Sequence, residues 1–416
     1  MTEANDPNCS VEDTLSRYLD AISNVTPECE TIHIEDALSR ILCEDIVIKS
    51  DYPSFDKALV DGFAIKSSDT RFADRRNPVT LKVIGEVALD SNERLVVQNG
   101  EAIRVSKGSL MPENADAVVK PVDVIEEDGV IKVLKSITTD TCVTKKGEDI
   151  RANSVFIRKN RKLRPQDIGG IIGTGIMQVK VFKKPVITII PTGSELVPLD
   201  VEPDAGQIIS SNGYVLKGFV EQIGGVGKIA SIVGDDLNQV KNAISKALEV
   251  SDMVLISGGS SSGTRDYTVK AVESIGGADI IAHGVLMRPG HHALLAVVGN
   301  KPVIGLPGHP VSNMTVFQVF GKPVLRRLAG ITRSFWQDRK ETIKIDAFLS
   351  KDICSPEGVE DFIRVRLIEE DGRITAYPYT GEASFLSTLV KSHGMVRIPA
   401  ECACLYKGDR VEVTLF

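Results

Sequence analysis

The ten residues from Ser257 to Asp266 (SGGSSSGTRD) bring glycines and hydroxyls together in a pattern that suits an anion. They follow an apolar run and precede a helical pattern. Gly258 and Gly259 let the backbone approach a ligand, amides at a helix start attract negative charge, and Ser260, Ser261 and Ser262 add hydroxyl donors. Phosphate is the natural guest; a turn with helix-capping serines is the plainer alternative. Acids recur at neighbouring expected strand ends: Glu195 in PTGSEL, Asp235 and Asp236 in VGDD, and Asp266 after the glycines. Carboxylates beside a phosphate site suit Mg2+, which takes oxygen ligands and bridges phosphates. Asp235 and Asp236 could equally cap the helix that follows them. In LPGHPVS, Pro307 and Pro310 stiffen a loop before a helix, and Ser312 with nearby amides could hold an oxyanion. His283, His291, His292 and His309 fall at strand ends of the same region. Their spacing fits no standard zinc pattern, so they read as donors to an anionic ligand. A basic run from Lys145 to Arg164 reads as a solvated face, with GEDI (Gly147 to Ile150) as its acidic exception. Asp61, in LVDGFAI, reads from its neighbours alone as a turn acid.

These residues need elements to hold them. From Lys184 to Gly330 strand and helix patterns alternate: PVITIIPTG, SNGYVLKGFVEQIGG, GKIASIVGDD, LNQVKNAISKALEV, DMVLISGG, DYTVKAVESIGG and onward. Such alternation predicts an open, doubly wound parallel sheet, which binds ligands beyond the carboxyl ends of its strands. Residues 10–24 predict a helix, with Ser10 and Asp13 as a capping box. A second short helix is expected over Ile34 to Leu42, and a third over Gln166 to Ile172. Pro78 to Val143 reads as a small β unit, RLVVQNG among its strands, inserted into a helical or mixed domain. Thr342 to Phe416 reads as a separate C-terminal β domain. The expected division is residues 1–50 with 145–183, the insertion 51–144, the doubly wound domain 184–330, and the last domain 335–416.

Composition narrows the function classes. A 416-residue chain is too long for one ordinary core. A formal charge of -7 and aromatics at 5% argue against nucleic acid, since neither counterion release nor base stacking is provided for. No apolar run is long enough to span a membrane, and Met1 to Cys9 is polar and acidic without a secretory signal. Seven scattered cysteines read as structural thiols in a reducing cytosol, so a cytoplasmic location is expected.

In order and spacing, the motifs resemble the molybdopterin molybdenumtransferase family, which includes MoeA and the gephyrin E-domain, over nearly the whole chain. The family's aspartate-glycine-aromatic turn stands here as VDGFA (Val60 to Ala64), and GEDI as Gly147 to Ile150. TGSEL covers Thr192 to Leu196, and GQI-x-x-x-N covers Gly206 to Asn212. The GG-x-S-x-G-x-x-D-Y loop covers Gly258 to Tyr267. KPG stands as Arg288-Pro289-Gly290, LPGNPVS as Leu306 to Ser312, and F-x-R as Phe362 to Arg364; a glycine-serine turn is replaced near Gly381 to Ser384.

The resemblance implies a MogA-like doubly wound domain, an inserted β domain, a helical or mixed N-terminal domain and a C-terminal β-barrel. It implies an elongated homodimer with its active site at the subunit interface. The reaction would take adenylylated molybdopterin and molybdate or tungstate, use Mg2+, and release AMP and the metal-loaded pterin. Gly258 to Ser262 would cradle phosphate. Glu195, Asp235 and Asp266 would hold Mg2+ or position water, and Arg288 and His291 would neutralise anionic charge. Pro307, Pro310, Ser312 and Arg364 would border the oxyanion, while Asp61 and Asp149 would act from the second subunit. A molybdopterin adenylyltransferase and molybdoenzyme chaperones are the expected protein partners. The chain departs from the family at several residues: Lys57-Ala58 replaces Asn-Ser, Lys107 replaces a threonine, His291 replaces a lysine and His309 replaces an asparagine; Lys57 and Lys107 add cations. A non-catalytic scaffold on the same fold and a molybdopterin adenylyltransferase are the competing readings.

Overall fold

The computed structural model describes residues 9–89, 94–259, 267–331, 343–370, 372–379 and 381–416, which form two compact units. One comprises Met1–Thr31, Ser39–Cys43 and Lys180–Phe416; the other comprises Ile32–Leu38 and Glu44–Val179.

A six-stranded sheet organises the first unit, in the order Val226–Ile229, Val186–Pro191, Met253–Ser257, Lys301–Leu306, Leu294–Val298, Ala278–His283. The first four strands run parallel, as the alternating pattern predicts. Leu294–Val298 runs antiparallel to both of its neighbours. The cause is local: only Gly299 and Asn300 separate it from Lys301, and so short a link joins antiparallel strands only.

The apolar runs are continuous because both faces are covered, and side-chain alternation splits each run between two cores. Ile187, Ile189, Met253, Leu255 and Ile304 enter one core; Ile190, Val254, Ile256 and Val303 enter the other. Helices Asn212–Ile223 and Lys322–Leu328 cover the first face, and Leu237–Val250 and Tyr267–Glu273 the second. Helix Val11–Ala21 has the expected Ser10 cap, with Oγ accepting from the Asp13 amide at 3.1 Å. The sequence reading groups this helix with residues 145–183. Instead Val11, Tyr18 and Ile22 are buried in the first core, and the Tyr18 hydroxyl donates to Val303 O at 3.1 Å.

Five strands of the C-terminal segment close into a barrel: Glu360–Glu370, Arg373–Pro378, Lys344–Leu349, Arg410–Leu415 and Gly394–Ile398, the last pairing back to the first. Met287–Arg288 adds a short parallel pairing, Met287 to Glu360 and Arg288 to Asp361, tying the barrel to the loop before Leu294.

In the second unit a six-stranded sheet runs Ala117–Val119, Gly62–Ile65, Glu101–Val105, Val79–Val87, Val130–Val133, Val124–Glu127. Helix Pro165–Gly173 matches the expected third helix, opening on a box closed by Asp167.

Three expectations fail. Ile34–Asp36 is a single 3-10 turn rather than a helix to Leu42, because Ser39 takes a left-handed φ of 63°. RLVVQNG contributes only an isolated bridge, Val96 to Glu113. Four cysteines are paired, Cys29 with Cys43 and Cys354 with Cys404. Sequence spacing cannot reveal such pairs. Cys354 and Cys404 stand 50 positions apart, yet antiparallel pairing sets them directly opposite. No described helix is long and apolar enough to cross a membrane.

Candidate functional site

Parallel strands end together, so the loops that follow them share one edge of the sheet. The antiparallel strand Leu294–Val298 begins at that same edge, and this brings His291 and His292 to it. A cleft of about 620 Å³ opens there. Thr192, Gly193 and Glu195 enter from the loop after Val186–Pro191, and Asp235 from the loop after Val226–Ile229. Gly258 and Gly259 follow Met253–Ser257; Pro307, Gly308, His309, Pro310 and Ser312 follow Lys301–Leu306.

The glycines are required by space. Gly258 has φ 109°, and a Cβ there would stand 2.3 Å from the Thr192 carbonyl oxygen. Gly259 has φ 67°, and its Cβ would stand 2.7 Å from Thr268 Oγ1. Both φ values favour glycine, and both positions press backbone against backbone or a hydroxyl. The far wall is held by asparagines. Asn313 Nδ2 donates to Ser257 Oγ at 3.0 Å and to Pro307 O at 3.1 Å, and Asn212 Nδ2 donates to Gly308 O at 2.8 Å. Sequence reasoning did not assign roles to these two side chains. Asn212 closes the GQI-x-x-x-N motif, which was its available signal; Asn313, directly after Ser312, had none.

The paired acids of VGDD divide their work. Asp236 caps helix Leu237–Val250, accepting from the Gln239 amide at 2.9 Å. Asp235 lines the cleft, its backbone N–H donating to Ser194 Oγ at 3.1 Å. Glu195 lines it too, so two carboxylates with oxygen-donor chemistry face one space. That donor set fits a hard divalent cation such as Mg2+. Asp266, Ser260, Ser261 and Ser262 lie outside the described residues. Among the described residues no three His, Cys, Asp or Glu groups gather to hold a metal ion.

Beside the cleft, the barrel contributes buried charge. Arg364 is 4% exposed; its Nη2 donates to Gly381 O at 3.3 Å and its Nε has no hydrogen-bond partner. Ala383, two residues beyond Gly381, accepts from the Val311 amide at 3.2 Å, which fastens this turn to the Pro307–Ser312 loop. Burial pulls Arg364 down from its usual pKa, against the charge of Asp361. Asp361 is 1% exposed, with Oδ2 accepting from Arg288 Nε at 2.8 Å and also from Nη2. Its Oδ1 has no hydrogen-bond partner, and the Ser355 hydroxyl donates to Val359 O. Burial pushes the Asp361 carboxyl above the usual range, against the pull of Arg288 and the Phe362 amide. Arg288, expected to face an anion, therefore has its guanidinium on Asp361 and is absent from the cleft wall. The short pairing of Met287–Arg288 with Glu360–Asp361 aims it there.

Asp61 and Asp149 belong to the second unit, and both are exposed. Asp61 Oδ1 accepts from the Lys107 amide at 2.7 Å. That unit has its own cavity, of about 400 Å³, bordered by residues 50–55, Lys57, Gly108, Gly173 and Thr174; neither acid lines it.

Comparison with known proteins covers the chain almost end to end. Residues 9–175 match the MoeA N-terminal region (domain I and II), 188–327 a "Probable molybdopterin binding domain", and 346–416 the MoeA C-terminal region (domain IV). A protein of Methanocaldococcus jannaschii named for molybdopterin biosynthesis is 35% identical over 413 residues, 97% of this chain and 96% of its own. The molybdopterin molybdenumtransferase of Staphylococcus aureus is 30% identical over 386 residues, 92% of this chain and 90% of its own. The crystal structure of a molybdopterin biosynthesis MoeA protein from Pyrococcus horikoshii superposes with a TM-score of 0.87 at 34% identity, covering 98% of both chains.

Proposed function

The chain belongs to the molybdopterin molybdenumtransferase (MoeA) family, and on that premise we propose that it loads molybdate or tungstate into adenylylated molybdopterin. It is a transferase of molybdenum cofactor biosynthesis. The observation that carries the reading is the convergence at one sheet edge of a glycine cradle, a proline-stiffened loop and two carboxylates.

In this reading Gly258 and Gly259 receive phosphate oxygens through backbone amides, with no Cβ in the way. Glu195 and Asp235, with Asp266, would hold Mg2+, which supplies charge neutralisation on the phosphoanhydride. Pro307, Pro310 and Ser312 form one wall of the oxyanion pocket. Arg364 supplies a buried guanidinium with an N–H to spare, a fork suited to a tetrahedral oxyanion. Water attack breaks the phosphoanhydride P–O bond, and AMP leaves with its proton balance met by solvent. Asp61 and Asp149 reach the reacting groups from the second subunit of a homodimer. A four-domain division in which helix Val11–Ala21 packs on the doubly wound sheet, a cytoplasmic location, and contact with an adenylyltransferase and molybdoenzyme chaperones belong to the same proposal.

A single-turnover assay with adenylylated molybdopterin, Mg2+ and either molybdate or tungstate tests it. AMP release that depends on the oxyanion is expected. Tight pterin binding by the wild-type protein with no AMP release, whichever oxyanion is supplied, would sink the proposal.

A further inference from the structure

The described wall of the cleft contains Glu195 and Asp235, but neither lysine nor arginine. Its titratable groups otherwise are three imidazoles, His291, His292 and His309. A pocket for an anionic ligand therefore carries two negative side chains on its described wall, opposed there by histidines, with the Arg364 guanidinium standing beside it. Histidine is the side chain whose ordinary titration changes its charge between about pH 5 and 8.

His291 is the one whose chemistry the geometry fixes. Its Nδ1 lies 2.7 Å from the Val285 carbonyl oxygen. A carbonyl oxygen only accepts, so Nδ1 carries the proton, and Nε2 is the nitrogen that gains or loses one. The backbone repeats the clamp, since Val285 N donates to His291 O at 2.9 Å. His292 packs edge-on against the ring, with centroids 5.1 Å apart, and limits its rotation further. Neutral His291 thus offers a ligand an Nε2 lone pair, which repels an anionic oxygen. The imidazolium offers an N–H and a positive charge in the same place. One proton converts this wall from acceptor to charged donor.

We propose that His291 is a proton-operated anion contact, so that a tetrahedral oxyanion binds this cleft together with a proton at Nε2. The proposal rests on the functional reading above for the choice of ligand. Groups near the ring on every neighbouring element enter the balance. Glu195 and Asp235 carry charge opposite in sign to an imidazolium, while Arg364, and His292 and His309 when protonated, carry charge of the same sign. Arg288 bears on the ring less than a free guanidinium would, because Asp361 neutralises it.

The test is calorimetric titration of the full-length protein with micromolar molybdate at about pH 6 and about pH 8, in two buffers of different ionisation enthalpy. Wild type should bind roughly tenfold tighter at the lower pH, with proton uptake per anion that is small at about pH 6 and close to one at about pH 8. His291→Lys should bind about as well at both pH values, and His291→Gln weakly at both. A wild-type affinity that moves less than about twofold overturns the proposal, as does His291→Gln with its pH dependence intact, which would assign the effect to His292 or His309. A parallel titration with AMP separates the two anionic sources: because the AMP phosphate itself titrates near about pH 6, the telling result is a pH dependence for AMP that His291→Gln reduces, with none for molybdate, which would place the contact on phosphate and overturn the oxyanion assignment. These readouts do not depend on turnover. AMP release without proton-linked binding would remove this inference alone, and proton-linked binding without AMP release would remove the functional reading alone.

Discussion

Asp167 and Asp361 are both buried carboxylates held by arginine, one in each unit, and they differ in how far their bonding capacity is met. Asp167, 7% exposed, receives Arg161 Nε and Nη2, Arg164 Nε and Nη2, and the Arg164 backbone N–H, all between 3.0 and 3.1 Å. Burial alone would raise its pKa, but these donors outweigh burial and hold it at about 2. Asp361 has one arginine on one oxygen and nothing on the other, so burial wins and its pKa rises. Three residues further along the same strand, Arg364 also has an unpartnered nitrogen. Native interiors satisfy nearly all buried polar groups, so two shortfalls in one strand mark a place kept for something other than stability. Asp167 staples a helix start. The Asp361–Arg364 strand stands beside the cleft with bonding capacity in reserve.

If that difference is functional, the largest effect should come from Arg364. Arg364→Lys keeps a charge but loses the fork, and oxyanion-dependent AMP release should fall by roughly 100-fold while stability shifts by less than about 1 kcal/mol. Single-turnover rates and urea midpoints on the same preparation check both halves. Full activity in this variant would reduce Arg364 to a packing residue. The next effect belongs to Asp167. Asp167→Asn should cost about 1–2 kcal/mol at neutral pH, after discounting for its half-exposed arginine partners, and should leave single-turnover AMP release unchanged. The folded pKa lies below the unfolded one. This stabilisation is therefore complete above pH 3.8 and is lost as pH falls toward about 2. Urea midpoints of wild type and Asp167→Asn should converge across that window; parallel acid limbs would remove the assigned role.

The sheet was legible because long apolar runs separated by amphipathic helices admit few folds, and its topology then carried Glu195, Asp235, Gly258, Pro307 and His291 to one edge. Spacing could not show which half of a pair does which job. Asp235 and Asp236 look alike in sequence, and only the helix axis makes Asp236 the cap. Arg288 is a related case. A basic residue next to a proline and a glycine looks available to a ligand, yet pairing with a strand more than seventy residues away points it at Asp361. Long-range partners of this kind, like Cys354 with Cys404, leave no local signature. Lys145 shows the converse. Within a run read as a solvated face, it bridges Asp56 and Asp140 at 3.2 and 2.7 Å, and hydrogen bonding to Asp140 raises its pKa despite some burial.

The smallest effect, and the most direct trial of the comparison, is expected of Asp361→Asn. In the folded protein this carboxyl holds its proton more tightly than in the unfolded chain. Its contribution to stability is therefore largest below pH 3.8 and is lost as pH rises through the folded value. Burial disfavours the ionised form relative to the unfolded chain, and Arg288, half-exposed, can recover solvation if the pairing weakens. An asparagine retains an oxygen for Arg288 and no longer buries a charge. Stability at pH 7 should thus stay within about 1 kcal/mol of wild type, and the decline in stability as pH rises above 3.8 should become shallower. A loss above about 2 kcal/mol at neutral pH would mean that Asp361 is as much a staple as Asp167. The unpartnered oxygen would then be only a packing defect, and the reserve of bonding capacity beside the cleft would have to rest on Arg364 alone.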